Sequence, residues 1–337
     1  MLRTGVVLLL VLAAALVVDA KIVHVPKKLE RTQKVVAAAQ AAHRAKEAVV
    51  PRVGRWDAHD PGYYTDDFAR RKMFPLSAAA YADSPQDCLT RKFQNASVSL
   101  HIMAQCETGA TTDNCAGYTA VSHSDKAIIV AFRGTEGFLQ LVIEVDNVVL
   151  KSKKSSPIGG MIAEYFHDVF QHLWDKGIKD DVEQMLKTYP DYEVWITGHS
   201  LGGAVASIAA TYILNTYNLE NERIKLVTFG QPRTGDTDYA SAHNLRLPRS
   251  YRVTHHRDMV PHVPPENFES YFHHESEVWY PQSMNAGDSF VVCNEAENAN
   301  DCSDKQWFDV SISDHLHYFE KHLSSYGVDG CLDDQGF

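Results

Sequence analysis

No stretch limits the fold of this 337-residue chain as tightly as VWITGHSLGGAVASIAAT, residues 194–211. Branched and aromatic residues run up to Gly198, and small ones crowd the far side of Ser200: Gly202, Gly203, Ala204, Ala206, Ala209 and Ala210. The first half reads as a buried strand and the second as a helix. So tight a reversal lays the helix against a neighbouring strand, and only residues with little or no side chain let two backbones come that close. A serine that served only the turn would need none of this company. The helix N-terminus behind Ser200 also favours negative charge at that point.

The same alternation recurs along the chain. From about residue 66, strands are expected at 117–122, 127–132, 192–197, 224–229, 251–255, 277–280 and 289–293. Helical spacing of Ile162, Phe166, Val169, Leu173, Val182 and Met185 predicts one helix over 161–188, stopped by Pro190. Strands alternating with helices give an α/β class with a mostly parallel central sheet flanked by helices. With 45% apolar residues the chain can fill a large core.

The two ends read differently. Residues 1–20 place Arg3 ahead of an apolar run and finish on Val18-Asp19-Ala20, the pattern of a secretory signal cleaved after Ala20. The run from Gly5 to Val18 falls short of the roughly 20 apolar residues that span a bilayer, so no transmembrane segment is expected. Residues 21–65 form a basic, alanine-rich helical extension, read either as a propeptide, with ARRK at 69–72 a candidate processing site, or as a helix packed on the domain. The catalytic domain is expected over 66–337. Secretion favours pairing of the six cysteines. Spacing suggests the local loops Cys106-Cys115 and Cys293-Cys302, which leaves Cys88 with Cys331; six cysteines permit fifteen connectivities. Asn95-Ala96-Ser97 is the one glycosylation acceptor.

Charge narrows the partners. The net charge of −11 divides into +7 over residues 21–56 and −18 from residue 57 on. An acidic body repels nucleic-acid phosphates. The 17 histidines lack the spacing of a metal site, and no metal or other cofactor is expected.

Gly198-His199-Ser200-Leu201-Gly202 fits the G-x-S-x-G nucleophile elbow of α/β-hydrolases. A serine nucleophile needs a base and the base needs a carboxylate, in the chain order Ser, Asp or Glu, His. Asp258, straight after the strand YRVTHH, and His315, at the head of a helix DHLHYFEKHL, occupy suitable places. The rivals are Asp236, Asp238, Asp288 and Asp309, and His262, His273, His274 and His317. Oxyanion donors would come from the Leu201 N–H and from Thr135 in the loop AFRGTEG.

Together, VAFRGT, ITGHSLGGAVASI, LVTFGQPRTGD, YRVTHHRDMVPHVPP and DHLHYF, in this order, resemble the fungal-type class 3 lipases, most closely their secreted nematode members. The resemblance implies an α/β-hydrolase fold, Ser200 as nucleophile, Asp258 as orienter, His315 as base, and Thr135 with Leu201 as oxyanion donors. It also supports the Cys293-Cys302 loop. Family members often carry a tryptophan in the lid; here 136–157 has none. Phe138, Leu141, Val142 and Val145 instead recur at helical intervals, either as a lid or as a core helix. The expected function is a secreted, monomeric serine ester hydrolase acting on acylglycerols at a lipid-water interface. Alternatives are a phospholipase A1, a soluble-ester esterase, or a lipid-binding protein on an inactive scaffold.

Overall fold

The computed structural model describes residues 64–108, 111–135, 150–265, 268–294, 302–303 and 311–333, with backbone alone at 107–108 and 111–113. An eight-stranded sheet organises them, its strands adjacent in chain order: β1 (Ala96–Thr108), β2 (Thr111–Ser122), β3 (Ala127–Phe132), β4 (Glu193–His199), β5 (Ile224–Phe229), β6 (Ser250–His255), β7 (Glu277–Tyr280) and β8 (Val291–Cys293). β3 to β7 run parallel, while β1, β2 and β3 pair antiparallel at one edge and β7 with β8 at the other. This is the α/β-hydrolase architecture that the elbow implied.

β3 shows why its sequence, AIIVAF, is apolar throughout. All six residues are buried, with Ile128, Val130 and Phe132 on one face and Ala127, Ile129 and Ala131 on the other. Helices cover both faces, so neither can be polar. One face packs α3 (Glu164–Leu173), α4 (Lys179–Thr188) and α5 (Leu201–Tyr217). The other packs α1 (Phe74–Ala79), α2 (Pro85–Lys92) and α8 (Leu323–Val328). Between β5 and β6 lies α6 (Thr237–Arg246). Among the described residues no helix is long and apolar enough to cross a membrane.

Two expectations need correction. The predicted helix 161–188 opens with a strand, Met161–Ala163, which joins a second sheet with Lys153–Ser155, Gly235–Asp236 and Tyr271–Phe272. It then breaks between α3 and α4 at Gly177, whose φ of 134° no ordinary residue adopts readily. The second correction is at DHLHYFEKHL, which is not one helix: α7 (Ile312–Leu316) stops, and His317–Tyr318 pairs with Lys321–His322 around Phe319 and Glu320, at φ 50° and 66°. His315 therefore sits in the last turn of α7, not at the head of a helix. The candidate processing site ARRK lies in a π-helical turn, Ala69–Met73, with Ala69 and Met73 buried, Arg70 bonded to Asp66 and Lys72 to Asp125. A cut here would part Ala69 from the core that Met73 and α1 share.

Sulfur links Cys88 to Cys331, Cys106 to Cys115 and Cys293 to Cys302. The first ties α2 to the end of the described chain across 243 residues. Asn95 lies exposed ahead of β1. Residues 1–63, where the signal and most of the extension are expected, lie outside the described residues, as do the expected lid positions Phe138, Leu141, Val142 and Val145.

Buried histidines give the fold a pH dependence. His243 on α6 stacks on His274 at 3.8 Å beside Arg252, and His273 is buried next to them. Burial, then the Arg252 charge, lowers His243 to about 3; burial followed by neighbouring charges puts His273 and His274 well below the usual range. Burial, then His315, likewise lowers His199 to about 3. The unfolded chain binds protons at these sites near pH 6.5 while the folded chain refuses them. Their stabilisation is therefore complete above that pH and is lost as pH falls, for His199 and His243 towards about 3 at about 1.4 kcal/mol per pH unit each. The apparent Tm should drop steeply between about pH 6 and pH 4; a flat thermal profile there would contradict this burial.

Candidate active site

β4 ends at His199, and α5 begins at Leu201 with no residue between them but Ser200. The turn holds Ser200 at φ 59°, ψ −130°, a conformation that costs on the order of 1–3 kcal/mol. Its N–H donates to Phe229 O at 2.9 Å, and its C=O accepts from Gly203 N at 2.9 Å. Two glycines make the turn sterically feasible: a Cβ on Gly198 would stand 2.1 Å from Gly202 O, and one on Gly202 would stand 2.3 Å from Phe132 O. The small residues inferred from sequence to let backbones approach therefore do so at the elbow itself. Leu201 is the first residue of α5, so its N–H has no acceptor within the helix. Thr135 ends the described part of the loop after β3; the preceding Gly134 packs so closely that a Cβ there would meet Ser200 Cβ at 3.0 Å.

Asp258 follows β6 and forms a bridge with Ser311, which leads into α7. That bridge brings His315 to the carboxylate across 57 residues: His315 Nδ1 lies 3.0 Å from both Asp258 oxygens. Both side chains are buried, at 0% and 1% exposure. Oδ1 also accepts the Val260 N–H at 2.9 Å, and Oδ2 the Tyr318 hydroxyl at 2.6 Å. Burial alone would raise the Asp258 pKa, but the His315 charge and these hydrogen bonds together hold it below the usual carboxylate value. A Cβ on Gly230, at φ 57°, would stand 2.7 Å from both Asp258 Oδ2 and His315 Nδ1, so only glycine passes here.

Among the described residues Ser200 Oγ and His315 Nε2 are buried and have no hydrogen-bond partner. They share this condition with other buried polar atoms, such as both His243 nitrogens, but these two belong to the elbow and to the ring that Asp258 holds. Buried polar groups are seldom left open unless something else is to use them. A hydroxyl and the free nitrogen of a ring anchored at its other end by a carboxylate are what an acyl transfer employs.

The rival residues have other occupations. Asp236 caps α6, accepting from Tyr239 N and Met161 N, and Asp238 lies in the first turn of α6. Asp288 holds Asn285, and Asp309 lies outside the described residues. His262 is buried in the turn after Asp258, His273 bonds Pro261 O, His274 bonds Glu275 O, and His317 bonds Ser313 O.

Sequence reasoning passed over Tyr81, Gly230 and Tyr318. Tyr318 stood in the quoted DHLHYF but was given no role; a tyrosine three residues after a candidate base was the available clue. Tyr318→Phe removes a hydrogen bond to a buried charge, worth about 1.5–3 kcal/mol, and should lower ester-hydrolysing kcat/KM by about tenfold or more. Unchanged kinetics would deny the hydroxyl any part in holding Asp258.

Kinship agrees with the geometry. Residues 129–268 match the family model described as Lipase (class 3). A Caenorhabditis elegans lipase is 31% identical over 309 residues, 82% of this chain and 85% of that protein. The Rhizopus niveus lipase is 32% identical over 210 residues, 60% of this chain; the match spans half the length of that relative. Among solved structures, a lipase from Rhizopus microsporus var. chinensis superposes with TM-score 0.66 at 26% identity, over 78% of this chain and 90% of that one. Lipase II from Rhizopus niveus gives 0.66 at 25%, over 77% and 97%. By its fold, its elbow and these relatives, the chain belongs to the class 3 lipase family of carboxylic ester hydrolases.

Proposed function

We propose that this protein is a secreted lipase that cleaves fatty-acyl esters of glycerol through an acyl-enzyme on Ser200. The observation that carries the reading is the pair of open buried atoms, Ser200 Oγ and His315 Nε2, with Asp258 bonded to the far side of the same imidazole. In the first half-reaction Oγ attacks the ester carbonyl while Nε2 takes its proton, and Asp258 steadies the imidazolium. The Leu201 N–H and Thr135 bind the oxyanion. The imidazolium then protonates the departing glycerol oxygen. In the second half, water gives a proton to the same nitrogen and attacks the acyl carbonyl; the imidazolium then returns that proton to Oγ as the C–Oγ bond breaks, releasing the fatty acid and restoring Ser200. Asp258 remains an anion throughout, as its lowered pKa requires.

The acylglycerol substrate follows from kinship: one relative, from Fusarium solani, is named a secreted mono- and diacylglycerol lipase. We assign residues 1–20 to a signal peptide, 21–65 to an N-terminal extension and 66–337 to the catalytic domain, with Phe138, Leu141, Val142 and Val145 in a lid. Rates on emulsified triacylglycerol, phospholipid vesicles and a soluble short-chain ester test the reading. A lipase accelerates when its substrate forms an interface. Faster turnover of vesicles would make it a phospholipase A1, and of the dissolved ester an esterase.

A further inference from the structure

His199 occupies the variable position of G-x-S-x-G, where the motif asks nothing of the side chain, yet it is 3% exposed and bonded through both ring nitrogens. Its Nδ1 lies 2.8 Å from Tyr81 Oη, and its Nε2 2.8 Å from the backbone O of His315. Its ring stacks on the ring of His315, with centroids 4.5 Å apart and planes at 28°. Tyr81 comes from the turn after α1, and its oxygen also receives the Gly134 N–H at 3.1 Å. A Cβ on Gly134 would stand 2.5 Å from that oxygen and 2.8 Å from His199 O.

The protons in this chain can be assigned. Burial raises the Tyr81 pKa, so the phenol keeps its single proton. Since Tyr81 Oη already accepts from Gly134, its proton goes to His199 Nδ1. The neutral His199 ring then carries its own proton on Nε2 and donates it to the His315 carbonyl. One directed chain thus joins the loop before Thr135, the elbow, and the residue bearing the base. Its middle ring stays uncharged while the neighbouring imidazole gains and loses a proton.

We propose that Tyr81 and His199 are positioning residues that set the Gly134-Thr135 loop and His315 in register with Ser200. The inference rests on the function proposed above and deepens it: neither residue touches the ester, and both act through groups that do. Loss of the relay misplaces donors aimed at the transition state, so it lowers kcat more than it weakens ground-state binding.

The test compares wild type, Tyr81→Phe, His199→Ala and His199→Gln on a soluble p-nitrophenyl ester, with Ser200→Ala as control and thermal unfolding to count folded protein. Tyr81→Phe and His199→Ala should lower kcat about 10- to 100-fold with KM within about twofold. Affinity for a trifluoromethyl ketone, which mimics the tetrahedral adduct, should fall in parallel. His199→Gln, which keeps one donor and one acceptor, should recover part of the loss, as a merely space-filling role would not require. Wild-type kcat per folded molecule in Tyr81→Phe, or a loss confined to KM, overturns the relay while leaving the serine mechanism intact. Activity that survives Ser200→Ala overturns the mechanism, and the relay with it.

Discussion

Ser200→Ala should lose ester hydrolysis by at least about 10⁴-fold while keeping its fold. The chemical loss is large because the proposed acyl-enzyme forms on Oγ, and alanine offers no nucleophile at the head of α5. The structural loss is small because, among the described residues, Ser200 Oγ makes no hydrogen bond that alanine would forfeit. Alanine also retains a Cβ, so the strained φ of 59° costs it as much as it costs serine. The Tm is therefore expected within a few degrees of wild type, or higher, since a buried unpartnered polar atom has gone. Residual activity is read with the soluble ester and the Tm by calorimetry. A variant that is inactive but also unfolded would show that Ser200 is needed for structure.

Gly198→Ala should do the reverse and damage the fold first. The added methyl would be 2.1 Å from Gly202 O and 2.4 Å from Gly202 C, both backbone atoms of the opening turn of α5. No flexible side chain can swing aside to relieve it. Either β4 leaves its place between β3 and β5 or α5 lifts from the sheet, and α5 buries thirteen of its seventeen residues. A cost on the order of 3 kcal/mol or more is expected, a large share of the 5–15 kcal/mol that holds a typical domain together. The variant should accumulate as aggregate or melt far below wild type, and urea unfolding measures the difference. A Tm near wild type would mean that the elbow opens more easily than its packing allows.

How much was legible in the sequence follows from how local each constraint is. The elbow was readable because sterics forces its glycines and alanines, and β3 because both its faces are covered. The candidate triad needed only chain order and the ends of elements, and Ser200, Asp258 and His315 lie at those ends. β1 was missed: ASVSLHIMAQCET mixes exposed residues such as Met103, at 53%, with buried ones, as an edge strand must. The break at Gly177 and the hairpin after Leu316 went unseen because helical spacing continues across both; only backbone angles reveal them. Tyr318 stood within a quoted motif and was given no role, whereas Tyr81 was out of reach for another reason. The Tyr81 hydroxyl finds its partner 118 residues away, and periodicity carries no information about such a pairing.

The most direct measurement is labelling of the intact protein with a fluorophosphonate, followed by peptide mass spectrometry. Phosphonylation requires a serine activated by a neighbouring base, so the account predicts one adduct, on Ser200, that disappears in His315→Ala and in Ser200→Ala. An adduct on another residue, or none on folded protein that still hydrolyses esters, would contradict it.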